Sequence, residues 1–291
     1  MKLLPLVFIV GETASGKSKL AIDLALKFNG EIINADSWAV YRGFDIGTAK
    51  PSVEERRLVP HHLFDVADPL AGYSAAIFKR MAGECIEDIY TRKKLPIIVG
   101  GTGLYIDSII YNYIFLPGSN LKERSYLETL KLDDLKTMVN KYGFDSTGID
   151  LNNKRRVIRL IENKGKRPQS SPMRKNILIL GLKVDAANLE NNIKKRVKRM
   201  LNDGLEREVK RLVNKYGWDI EPMKGIGYRQ FKDYFNGHIT YDQLRELIIS
   251  DTIKLVKKQK TWFKRNKSIH WLHNSSQSVE LITTFLNKSY I

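Results

Sequence analysis

Apolar residues along this chain fall into two spacings. Short apolar runs recur at "LPLVFIV" (4–10), "EIINADS" (31–37), "LPIIVGG" (95–101) and "KNILILGLKV" (175–184), each short enough for a buried strand. Between them the period lengthens to that of a helix. Lys17 to Phe28 places Leu20, Leu24 and Phe28 on one face and stops at "NG". Residues 72–94 read as a long helix in which Ile77, Met81, Cys85 and Ile89 recur every four positions, predicting one buried stripe with Cys85 in it. "TGLYIDSIIYN" opens another helix. Further helices are expected over 185–203, 205–215, 226–235 and 241–265, the last with Leu244, Leu247, Ile248, Leu255 and Trp262 as its core face. "SIHWLH" (268–273) reads as a late short strand. Strands alternating with helices predict an α/β fold, a parallel sheet flanked by helices. From 116 to 174 the strands vanish and the texture turns polar, helical and basic. This reads as an inserted helical subdomain within a core made of 1–115 and 175–291.

Charge sharpens this picture. Lys plus Arg number 49 against 32 Asp plus Glu, a net charge of +17 with a pI near 9.7. Such an excess favours a polyanionic partner, and it is concentrated. Residues 152–175 oppose their basic load with Glu162 alone, and residues 254–267 ("KLVKKQKTWFKRNK") contain no acid. Blocks of this kind bind phosphate backbones with a strong salt dependence. A lone cysteine excludes an internal disulfide framework and suits a reducing cytosol. No apolar run is long enough to span a bilayer, and "MKLLPLVFIV" reads as a buried first strand rather than a secretion signal.

The first strand runs directly into "GETASGKS", which matches the phosphate-cradling pattern with Gly11, Gly16, Lys17 and Ser18 in register. In such a P-loop, backbone N–H groups and a helix N-terminus face the phosphate, and the lysine adds a mobile cation. Ser18 is the candidate ligand for Mg2+. Many nucleotide-hydrolysing relatives of this loop place an acid at the end of a later apolar strand. Here "IIVGG" ends in glycine and Thr102, and the acid is Asp36 at the end of the second strand. That position faces the reacting end of whatever the loop holds. His61 and His62 in "PHHLFDVADP" lack partners at metal-ligand spacing and are read as structural or substrate-shaping.

Taken together, "GETASGKS", "NADSWAVYRGFDIGTAKP", "PHHLFDVADP", "YSAAIFKR", "IIVGGTGLY", "NNKRRVIRLIE", "GIGYRQ" and "KKQKTWF" resemble the tRNA dimethylallyltransferases, in the family's order from residue 11 to 263. The resemblance implies transfer of a dimethylallyl group from dimethylallyl diphosphate to N6 of the adenosine 3′ of the anticodon in tRNA. It implies Mg2+, a cytoplasmic monomer and a tRNA-binding role for the inserted subdomain. By the same resemblance, Gly11, Glu12, Thr13, Ala14, Ser15, Gly16, Lys17 and Ser18 hold the diphosphate. Thr13 bonds its bridging oxygen, Arg229 of "GYRQ" clamps it, and Asp36 is the general base. Ser37, Trp38, Ala39, Thr102, Gly227, Tyr228, Arg229 and Gln230 would lie near the adenine and the RNA. Arg124, Lys154, Arg155, Arg156 and Arg159 would contact the anticodon loop, and Lys257 and Lys258 the stem. Glu12 stands where the family carries proline and Ala39 where many members carry glutamine. Two rivals share some of these features: a P-loop kinase of small molecules or nucleotides, and an RNA-binding protein with a decayed loop.

Overall fold

A computed structural model describes residues 4–118 and 120–289 of the chain. In chain order the elements are β1 (Leu6–Val10), α1 (Lys17–Lys27), β2 (Gly30–Asn34), α2 (Val53–Leu58), β3 (His61–His62), α3 (Ala75–Thr91), β4 (Leu95–Gly100), α4 (Gly103–Ile110), α5 (Leu121–Thr129), α6 (Leu132–Lys141), α7 (Lys154–Glu162), β5 (Ile177–Leu182), α8 (Ala186–Asn202), α9 (Leu205–Tyr216), α10 (Phe231–Phe235), α11 (Tyr241–Phe263), β6 (Ile269–Leu272) and α12 (Ser275–Ser289). The six strands form one parallel sheet in the order β3-β2-β4-β1-β5-β6. The central strands β1, β2 and β4 are buried along their whole length, which is why β1 and β4 read as unbroken apolar runs.

Register positions the chemistry. Val10 lies opposite Gly100 on one side and Gly181 on the other, and Asn34 lies opposite Val99. The C-terminal ends of β1, β2, β4 and β5 therefore open at one edge. Connections leave that edge in opposite directions on either side of β1, and open α/β sheets bind ligands at such a point.

The chain divides into two compact units, Tyr111–Met173 and the remainder. The larger unit holds the sheet. One apolar cluster joins α1, the strands and α12, and another joins α8, α9, α10 and α11 with Val40, Tyr41 and Phe44. The smaller unit has its own core of Leu127, Leu135, Val139, Val157, Ile158, Leu160 and Ile161 from α5, α6 and α7.

Two expected stripes are displaced. In α3 the buried residues are Phe78, Ala82, Ile86 and Ile89, while Ile77, Met81 and Cys85 flank them half-buried. The buried row has the expected four-residue spacing but begins one residue later, about 100° round the helix, and it steps back by three at Ile89, which corrects the drift of about 40° in each four-residue step. Cys85 is thus beside the core, and burial raises its thiol pKa, away from a reactive thiolate. In α11 the inward residues are Leu244, Ile248, Ile249, Thr252, Val256, Gln259 and Phe263; Leu247 is exposed, and Leu255 and Trp262 are half-buried. The helix expected over 226–235 is shortened to α10, because Gly227 takes a left-handed φ of 92° that helical backbone cannot share. The elements α2, β3 and α12 were not foreseen.

Candidate functional site at the strand ends

The loop between β1 and α1 forms one wall of a cavity of about 510 Å3. Thr13, Ala14, Gly16, Lys17 and Ser18 line it. Gly11, Glu12 and Ser15 complete the loop behind the wall. Gly16 caps α1 at a φ of 94° and Ala14 turns at 65°, so the loop coils tightly enough to bring its amides round the N-terminus of α1. Lys17 donates to the Glu12 carbonyl at 2.5 Å. Burial lowers its pKa to about 8, against the opposing pull of Asp36. The Glu12 side chain is buried outside the lining, so its acid does not face the cavity.

Asp36 lies two residues beyond β2 and lines the same cavity. Asn34, buried, holds its backbone on both sides: its side-chain amide donates to the Asp36 and Leu63 carbonyls and its oxygen accepts from the Asp36 N–H at 3.0 Å. One Asp36 carboxylate oxygen accepts from the N–H groups of Trp38 (2.8 Å) and Ala39 (3.4 Å). This aims the side chain while committing only Oδ1. Thr102 braces the neighbouring turn, its Oγ1 accepting from the Ser37 N–H at 3.0 Å.

The opposite wall is α8, which contributes Asn192, Lys195, Arg196 and Arg199. Arg196 donates to the Thr48 carbonyl at 3.3 Å and has no ion-pair partner among the described residues. Burial lowers its pKa and Asp36 pulls the other way. A half-buried guanidinium and a half-buried ammonium lining one cavity repel each other, and an anion between them would relieve the cost. The arrangement suits a diphosphate, which a planar fork binds well.

A smaller cavity of about 70 Å3 adjoins the first. Thr13, Asp36, Thr48 and Arg196 line both, and Trp38, Gly47, Gly225, Ile226 and Tyr228 belong to the smaller. Asp36 therefore stands where two spaces meet. The wall at Gly47 is pinned by Glu208, whose buried carboxylate accepts from the N–H groups of Asp45, Ile46 and Gly47 and from the Tyr228 hydroxyl at 2.8 Å. The motifs "DIGTAKP" and "GYRQ" meet through this acid.

Arg229 does not reach either cavity. Its guanidinium donates to Asp251 at 2.7 Å and to the Lys224 carbonyl, and Gln230 binds the same Asp251 while accepting from the Gly227 N–H. "GYRQ" thus builds a braced turn, and the arginines that line the large cavity are Arg196 and Arg199. Sequence reasoning missed Arg196, Asn34 and Glu208. His61 lines the large cavity, with Nδ1 2.8 Å from the Val59 carbonyl and its pKa lowered by burial. His62 lies 2.6 Å from Glu31 and serves a charge cluster. Among the described residues no cluster of His, Cys, Asp and Glu forms a metal cage. Lys257 and Lys258 are exposed on α11.

In the smaller unit the expected RNA contacts divide. Arg124 and Arg159 both bind Glu162, whose side chain is 2% exposed, and Arg159 also donates to the Leu116 and Pro117 carbonyls. Lys154 donates to the Glu128 carbonyl. These three hold their own unit together, whereas Arg155 and Arg156 are exposed on α7.

The family model described as IPP transferase matches residues 39–266. The chain belongs to the IPP transferase family. A relative from Staphylococcus epidermidis named tRNA dimethylallyltransferase is 39% identical over 97% of this chain and 92% of its own length. A tRNA isopentenylpyrophosphate transferase of Bacillus halodurans, solved as a crystal structure, superposes with a TM-score of 0.77 at 32% identity, covering 99% of this chain and 98% of that one. A eukaryotic dimethylallyltransferase captured acting on tRNA superposes at 0.83 with 28% identity over 97% of this chain and 79% of that one. The family membership read from the motifs therefore holds over nearly the whole length. No helix among the described residues is long and apolar enough to cross a membrane.

Proposed function

We propose that this protein transfers the dimethylallyl group of dimethylallyl diphosphate to N6 of the adenosine 3′ of the anticodon in tRNA. The observation that carries the reading is Asp36 at the junction of the two cavities, with Thr13, Lys17 and Arg196 beside it. The allylic C–O bond breaks and its electron pair leaves on diphosphate. The Lys17 ammonium, the Arg196 guanidinium and the loop amides stabilise that charge as it develops. The Thr13 hydroxyl is the donor to the bridging oxygen. The N6 lone pair forms the new C–N bond, and the amine proton, made acidic by the attack, passes to Asp36. To reach Asp36 the adenine must leave its stack, at a cost of a few kcal/mol. The smaller cavity, with Trp38 and Tyr228 in its wall, suits a base entering from the RNA side.

Mg2+ is usually held by one or two protein oxygens together with substrate phosphates. The donor set fits that mode: Ser18 lines the cavity beside Lys17, and no all-protein cage is present among the described residues. When bound, Mg2+ neutralises part of the diphosphate charge. Dimethylallyl diphosphate as donor and a monomeric enzyme in the cytosol complete the reading. A kinase is not favoured, because family membership and the cation pair around the cavity are both accounted for by a diphosphate leaving group.

The test is incubation with unmodified tRNA, Mg2+ and either labelled dimethylallyl diphosphate or labelled ATP. Prenyl label in the tRNA supports the proposal. Phosphate transfer to a small acceptor would support the kinase, and tRNA retention without turnover a binding protein.

A further inference from the structure

Gln259 lies on the inward face of α11, 8% exposed, and belongs to neither cavity lining. Its Oε1 accepts from the Thr13 N–H at 2.8 Å and its Nε2 donates to the Gly101 carbonyl at 3.1 Å. One partner is a donor and the other an acceptor, so the orientation of the amide is fixed by its surroundings. A carboxylate of the same length cannot donate to Gly101, and a lysine cannot accept from Thr13. The fit is close: a Cβ added at Gly101 would collide with the Gln259 amide nitrogen.

The two backbones it joins bear on opposite ends of the reaction. Thr13 is the loop residue shared by both cavities. Taking its N–H away from the cavity fixes the turn that presents its hydroxyl. Gly101 precedes Thr102, whose N–H donates to the Ala35 carbonyl and whose hydroxyl accepts from the Ser37 N–H, on either side of Asp36. A single side chain thus ties the turn carrying the leaving-group donor to the turn carrying the acid.

Resting on the transferase reading above, we propose that Gln259 is a positioning residue that holds Thr13 and Asp36 in mutual register for the transfer step. It touches neither substrate. Its loss should therefore affect the rate at saturation more than donor binding, which the remaining loop amides and Lys17 still supply. Displacements near 1 Å at a reacting centre cost about 100-fold.

The test compares wild type with Gln259→Met, which keeps the length and loses both hydrogen bonds, and with Gly101→Ala, which leaves the glutamine intact and displaces it. Each should lower kcat about 100-fold with KM for dimethylallyl diphosphate within about 3-fold of wild type. The double variant should be no worse than either alone, since both break the same link between the two turns. Amide hydrogen exchange over 11–18 and 101–106 should quicken in both variants. Unchanged kcat, a loss confined to KM, or unaltered exchange would overturn the proposal. If either variant does not fold, the other carries the same test. If wild type transfers no prenyl group, the transferase reading fails, and the exchange measurement still decides whether Gln259 joins the two turns.

Discussion

Two basic regions of this protein look alike in sequence and differ in what their charges face. In α8 the run "IKKRVKRM" puts Arg196 against a cavity, half-buried and without a carboxylate partner among the described residues. In the smaller unit, "NNKRRVIRLIE" spends Arg159 on Glu162, joined there by Arg124, while Lys154 caps a carbonyl. Density of positive charge is similar in both. What separates them is the counter-charge: the second region carries its own buried acid, and the first leaves a space for one. A cation that the fold desolvates without pairing marks a ligand site; a cation paired with a buried acid marks a brace.

The largest effect should come from exchanging an acid that faces the cavity for its amide. Asp36→Asn keeps an oxygen to accept from Trp38 and Ala39 and cannot take a proton. Turnover should fall about 1000-fold while tRNA affinity is unchanged. Asp251→Asn, which only weakens the brace on Arg229 and Gln230, should stay within about 10-fold of wild type. Comparable losses in the two variants would erase the distinction between facing and braced charges.

A braced cluster should report in stability instead. Glu31 is 2% exposed and binds Arg92, His62 and Lys94. Burial pushes its pKa up, but these partners outweigh it and bring the value down from 4.5 to about 2. A carboxyl depressed in the folded state stabilises fully above its unfolded pKa, and the benefit drains away as pH falls towards the folded value. Between pH 5 and pH 2 the protein should lose roughly 3 kcal/mol from this group alone. Urea titrations across that range should show a shallower acid limb for Glu31→Gln.

The next effect tests the arginines directly. Arg196→Ala should lower kcat/KM for the donor about 100-fold, whereas Arg229→Ala should cost less than about 10-fold and act on folding. In the smaller unit, Arg124→Ala removes one of two charged donors to Glu162 and should destabilise by about 2 kcal/mol in denaturant titrations. Smallest of all, exposed Arg156→Ala should leave stability unchanged and reduce the salt slope of tRNA binding by about 1.

These contrasts also show what the sequence could disclose. The sheet and the phosphate loop were readable because their signals are local: unbroken apolar strands, then glycines at fixed spacing before a helix. The position of Asp36 at the cavity was readable because strand ends gather at one edge of a parallel sheet. Arg196 was not, because Lys194, Lys195, Lys198 and Arg199 surround it on an ordinary amphipathic helix, and only packing against Thr48 and the loop singles it out. Arg229 carries a distinctive motif, yet its contacts with Asp251 and the Lys224 carbonyl, outside both cavities, come from packing that the motif does not spell out. The stripe of α3 lies one residue along from the expected row, and in α11 Leu244 and Ile248 do face inward while Thr252 and Gln259 join them, because packing partners rather than apolar spacing alone choose the inward face.

The most direct measurement is a crystal structure of the protein with an unreactive dimethylallyl diphosphate analogue and an anticodon stem-loop. The account predicts the diphosphate in the Gly11–Ser18 loop between Lys17 and Arg196, with the first prenyl carbon and the adenine N6 both next to the Asp36 carboxylate. A diphosphate bound away from that loop, or an adenine whose N6 is out of reach of Asp36, would contradict it.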